Sequence, residues 1–199
     1  MRVDRSSAQA LRDLLSSTGI VERTRGFGRA LRRTRVSQSP GGLLVVGTPD
    51  EEPWHFTAHL QDEAEWAGAP ELRPTLVRWS PPPEAPEHLA VDLSRLEAAK
   101  RGESLLVVAP THATDPLLER VDDARHRGAT VFAVAGSDPQ LEAVAHEALL
   151  MDAVPSAATL DFEAMTHLVS LATGEPLPTR RGVRSRLSQL LDSLSGPAD

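Results

Sequence analysis

The sequence predicts an α/β domain built on a parallel sheet with helices covering both faces. Two apolar runs carry this expectation, residues 105–109 (LLVVA) and 130–135 (TVFAVA). Between them lie a polar loop and a helical pattern closed by Arg127 and Gly128, so the order is strand, helix, strand. Neither run alternates with polar residues, and strands without a wet face belong to parallel sheets buried on both sides. The length of 199 residues suits one such domain with appendages.

The elements follow in order. Residues 6–16 place Leu11, Leu14 and Leu15 on one helical face. Residues 20–36 form a second helical pattern with a sparse stripe of Ile20, Val21, Phe27, Leu31 and Val36, interrupted by Gly26 and Gly28. Across 6–36 the apolar stripe is too thin for a core on both sides, which suggests one-sided packing on a second copy of the chain. SQSPGG (37–42) is a turn, and 43–46 a short buried strand. A loop over 47–53 leads to a helix over 54–66, which ends at Gly68. A strand is expected at 76–79, a rigid Pro-rich connection at 80–86 and a minor strand at 89–93. One helical turn at 96–100 precedes the central unit. After Met151 comes a loop with Val154 and Pro155. A helix over 161–172 then turns Phe162, Met165, Leu168, Val169 and Leu171 inward. From Arg180 onward, Val183, Leu187, Leu190, Leu191 and Leu194 recur at helical spacing. The organisation read from this is a helical arm (1–38), an α/β domain (39–178) and a basic amphipathic tail (179–199).

Composition narrows the function. There is no cysteine, so no disulfide framework or thiolate metal site exists. No apolar run is long enough to span a bilayer and no signal-peptide pattern is present, so a cytoplasmic protein without membrane contact is expected. Net charge is -7. Basic residues collect at the two ends, nine arginines within 1–38 and four within 180–186, which leaves an acidic centre. An acidic body argues against nucleic acid as a partner.

In parallel sheets ligands sit beyond the carboxyl ends of the strands, so the loops after Val108 and Ala135 are where chemistry is sought. Two side-chain pairs also stand out. His55 and His59 are spaced i, i+4 on one helix, and Glu163 and His167 are spaced likewise on another. Together they could supply four N/O ligands to zinc or another divalent metal.

Three stretches resemble the sugar isomerase (SIS) domain family. They are LLVVGTPDEEPWHFTAHLQDEAEWAG, SLLVVAPTHATDPLLERVDDARHRGATVFAVAG and the helix over 161–172. The resemblance covers about 6–172 and implies a three-layer, doubly wound fold with about five parallel strands and N-terminal helices. It also implies a homodimer and a sugar-phosphate ligand. Its phosphate loop aligns with 109–114, which points to Thr111, His112 and Thr114, with Gly47 and Thr48 from the first loop, as ligand-binding residues. The competing reading of Thr111 and Thr114 is that they cap the following helix. The stretch HFTAHL (55–60) is similar to the His-Phe-x-x-Glu-Leu stretch of phosphoheptose isomerases. By that match His55, His59 and His167 fall at metal-ligand positions, and His59 and His167 at proton-shuttling ones.

The chain departs from the family pattern at Ala109, Pro110 and His112, and it places Asp50, Glu51 and Glu52 in the first loop. Pro110 offers no N–H, and three adjacent acids repel phosphate. The expected function is therefore a divergent SIS-type protein without catalysis, binding a sugar-phosphate-like metabolite or serving as a regulatory or structural dimer. Metal-assisted aldose–ketose isomerisation is the second expectation. An interaction module working through the Arg-rich ends is the third.

Overall fold

In a computed structural model, residues 19–33, 42–152 and 161–175 are described. The helix expected at 6–16, the loop with Val154 and Pro155, and the tail from Arg180 lie outside them. The described elements are α1 (Ile20–Arg33), β1 (Leu43–Val46), α2 (Trp54–Trp66), β2 (Pro74–Val77), α3 (Ser94–Glu97), β3 (Ser104–Ala109), α4 (Asp115–His126), β4 (Thr130–Ala135), α5 (Pro139–Val144), β5 (Glu147–Leu150) and α6 (Phe162–Gly174).

The five strands form one sheet in the order β2-β1-β3-β4-β5, and every pairing is parallel. Alternate side chains feed two cores. Leu43, Val45, Leu106, Val108, Phe132, Val134 and Leu149 pack under α1, α2 and α6. Leu44, Val46, Leu105, Val107, Val131 and Ala133 pack under α3, α4 and α5. Both faces are dry, which explains the unbroken apolar runs.

Two expectations are corrected, and a strand without a sequence signal is added. The strand read at 76–79 begins earlier, at Pro74, because an edge strand tolerates a residue without an N–H at its start. The strand read at 89–93 is instead a 3-10 turn (Glu87–Leu89) followed by a single bridge between Arg78 and Asp92. The fifth strand is Glu147–Leu150, whose Glu-Ala-Leu-Leu sequence favours a helix locally. Pairing with β4 overrides that preference.

α1 is also not the one-sided arm its sequence suggests. Ile20, Val21, Phe27 and Leu31 are buried in the chain's own core. Gly28 makes this possible. A Cβ there would lie 2.7 Å from the Ala172 carbonyl carbon, so α1 and α6 meet backbone to backbone. Arg25 and Arg32 then reach Glu175 at the end of α6. The Arg32 guanidinium donates to the Glu175 carbonyl, where the helix dipole favours a cation.

Candidate functional site

The strand order reverses between β1 and β3, and the two loops leaving their carboxyl ends diverge there. A cleft of about 410 Å³ opens at that point. It is lined by the segment 51–56 and by Val108, Phe162, Glu163 and Thr166. The N-terminal ends of α2 and α6 form its two walls. α6 is started by Asp161, whose carboxylate accepts from the Ala164 N–H at 2.7 Å.

The first loop is held rigidly. A Cβ on Gly47 would lie 2.2 Å from the Glu51 carbonyl oxygen, so only glycine fits this turn. Glu52 anchors the loop to the end of β2. Its carboxylate accepts from the Arg78 guanidinium (2.9 Å), the Trp79 backbone N–H (3.1 Å) and the Trp54 indole N–H (3.0 Å). Arg78 in turn lies over the Trp54 ring at 4.5 Å. The Gly47 carbonyl accepts from the Trp79 indole. Gly47 and Thr48, expected to bind ligand, thus shape the turn instead of lining the cleft, and Thr48 is buried.

The second loop is likewise engaged. Thr111 and His112 are exposed and lie outside the cleft lining. The Ala113 N–H donates to Asp138. Thr114 occupies the N-cap position of α4 but makes no side-chain capping bond, and its hydroxyl is buried without a partner. The capping reading of Thr114 therefore holds for the backbone and not for the hydroxyl.

The two pairs do meet across α2 and α6. The rings of His59 and His167 are 4.2 Å apart, tilted by 54°. One turn nearer the mouth, His55 Nδ1 and Glu163 Oε1 are 3.7 Å apart, with 86% and 68% of their side chains exposed. The four residues form two separate contacts. Among the described residues no group of three or more His, Cys, Asp or Glu side chains is arranged to hold a metal ion. The donors as placed do not fit a four-ligand zinc centre.

Burial lowers the pKa of His167, and the neighbouring His59 lowers it further. His55 acts in the same direction, while Glu163 and Asp161 oppose it. A histidine held below its unfolded value binds fewer protons when folded, so its contribution is complete above about pH 6.5 and is lost on acidification. Thermal melts between pH 8 and 5 are expected to fall in midpoint below pH 6.5, with a shallower fall in His167→Gln. Equal slopes for the two proteins would show that this histidine is not strained.

Sequence reasoning missed Asp138 and Glu52. The Ser-Asp-Pro start of α5 is a helix-capping signature that signals a cap at Asp138, though not its bond to a distant loop. Nothing in the sequence marks Glu52 among its acidic neighbours.

No family model matches the chain, and no curated protein matches it. Solved structures do. One is a protein assigned as sugar-binding from Salmonella typhimurium LT2, at 14% identity and a TM-score of 0.53, covering 96% of this chain and 54% of that one. Another is a protein assigned as a phosphosugar isomerase from Silicibacter pomeroyi DSS-3, at 14% identity and a TM-score of 0.55, covering 97% of this chain and 56% of that one. The fold is SIS-like. Identity this low carries the fold alone, and the chain spans about half the length of the solved structures it matches. Among the described residues no helix is long and apolar enough to cross a membrane.

Proposed function

We propose that this chain is an SIS-type binding domain, cytoplasmic and paired with a second copy of itself, that takes a small sugar-like metabolite and does not turn it over. The metabolite sits in the cleft between the N-terminal ends of α2 and α6. A concave site at a topological switch point, part apolar and part hydrogen-bonding, is the usual form of a small-molecule pocket. Phe162, Val108 and Trp54 supply apolar surface, and Thr166, His55 and Glu163 supply polar groups for hydroxyls.

The observation that carries the absence of turnover is the place of the candidate proton carriers. Aldose–ketose conversion needs a base within hydrogen-bond reach of the carbon-bound proton. The His59 and His167 rings pack against each other at a tilt, and neither lines the cleft. His55 and Glu163 do line it, yet both side chains stand largely in solvent, where nothing excludes water from a reacting carbon. One feature favours the isomerase reading: the pKa of His167 is lowered, which keeps its imidazole in the neutral, proton-accepting form.

The test is a thermal melt against a panel of monosaccharides, with sugar interconversion followed in the same samples. A true ligand at a hundredfold its Kd adds about 2.7 kcal/mol. For a chain of this size that raises the midpoint by roughly 5–10 °C. Such a gain without interconversion is expected. Interconversion abolished by His59→Ala, or no gain with any sugar, would overturn the reading.

A further inference from the structure

β2 is an outer strand of the sheet, and its free edge is only partly covered. Arg78, just after it, bonds outward: its N–H donates to the Val91 carbonyl at 2.9 Å. Backbone groups alternate in direction along a strand, so those of Leu76 and Pro74 face the same way. Those of Thr75 and Val77 face β1. Upstream of Val91 the chain turns away through Glu87–Leu89, so it pairs with Arg78 and with no earlier residue. The Leu76 N–H and the Leu76 and Pro74 carbonyls therefore have no partner among the described residues. Leu76 is 5% exposed, and backbone groups with so little water around them favour a protein partner.

A groove of about 820 Å³ runs along this edge. Pro74, Thr75 and Leu76 line it from β2, Ala58 and Gln61 from α2, and Leu89 from the returning segment. It shares only Trp54 with the ligand cleft. A sheet edge beside a helix, with one donor and two acceptors open, is the form that takes up an extended peptide as an added strand. The charge of the rim selects the kind of peptide. The cations on this side are already paired, Arg78 with Glu52 at 2.9 Å and Arg73 with Glu65 at 3.9 Å. Glu84 and Glu87 are exposed and have no cation beside them among the described residues. The rim is therefore negative, and a positive partner complements it.

We propose that this groove docks an extended peptide of a partner protein, which adds as a further strand on β2 and carries basic residues beside its apolar ones. Its main chain bonds to Leu76 and Pro74. Its apolar side chains meet Trp54 and Leu89, and its basic ones meet Glu84 and Glu87. Pro74 has no N–H and Val91 closes the far end, so the added strand is short. This docking does not depend on what occupies the cleft.

The probe is a blocked peptide, acetyl-Arg-Val-Thr-Val-Thr-Arg-amide, titrated into the labelled full chain. In the free chain the Leu76 amide is expected to exchange with solvent about tenfold faster than the Val77 amide. The peptide is expected to give saturable shifts at Thr75, Leu76 and Leu89, and to slow Leu76 exchange about tenfold at saturation. N-methylation of both valines, or of both threonines, gives two further peptides. One is expected to bind about tenfold more weakly and the other to bind as before, because only alternate N–H groups of a strand face its neighbour. Ala58→Arg, at an exposed helix position, is expected to block the groove without lowering the melting temperature. Glu87→Lys is expected to weaken the arginine-flanked peptide about fivefold and to remove its advantage over an aspartate-flanked one. Absent shifts, equal effects of the two methylated peptides, or indifference to both substitutions would overturn the proposal. A Leu76 amide already as protected as that of Val77 would do so too, by showing the edge filled by another segment of this chain or by a second copy.

Discussion

Phe132→Ala is expected to lower the unfolding free energy by about 3–5 kcal/mol, the range for a large buried aromatic. Phe132 is 1% exposed in the middle of β4. Its ring meets that of Phe27 edge to face, with centroids 5.6 Å apart and planes at 79°. Through Phe27, α1 touches β4. The double variant should therefore be less destabilised than the sum of the singles, by about 0.5–1.5 kcal/mol. Urea unfolding of the four proteins measures this. A coupling near zero would mean that α1 is docked elsewhere, as an arm on a partner would be.

Gly47→Ala is the second large effect. The added carbon would meet the Glu51 carbonyl oxygen at 2.2 Å and the Pro53 ring at 2.6 Å. The turn must open, at about 1–3 kcal/mol. Glu52 would then lose its alignment with Arg78, Trp79 and Trp54, and one wall of the cleft would move. The expected outcome is a folded protein of lower melting temperature that no longer gains stability from sugar. Gly26→Ala is the control, because nothing lies within 4 Å of the Cβ it adds. In the middle of α1 that change is expected to be neutral or to stabilise by up to about 1 kcal/mol. A cleft that still binds sugar after Gly47→Ala would place the ligand elsewhere.

The parts of the fold that were legible in the sequence are those where local pattern and tertiary role agree. The runs at 105–109 and 130–135 are apolar throughout because both of their faces are buried, and their pairing is parallel as expected. α2 matches its expected bounds because Gly68, at φ 60°, closes it. β5 was illegible because Glu147, Ala148, Leu149 and Leu150 are helix formers, and only hydrogen bonds to β4 make them a strand. α1 looked too weakly apolar for a core helix because Gly28 contributes by having no side chain. Close backbone approach leaves no hydrophobic signature.

For the site, i, i+4 spacing correctly put each pair of polar residues on one face. It could not give the register of α2 against α6, which sets His59 on His167 and His55 on Glu163 as two contacts. Thr111, His112 and Thr114 were singled out by alignment with a phosphate loop. The residue that answers that loop, Asp138, sits 25 residues further along, beyond the reach of any local pattern.

The most direct test of the central claim is a titration of the labelled protein with an unphosphorylated hexose, reading side-chain and amide shifts residue by residue. Saturable shifts at Trp54, Val108, Phe162 and Thr166, with the hexose recovered unchanged, are the predicted result. Shifts confined to Thr111, His112 and Thr114, or conversion of the sugar into its isomer, would contradict it.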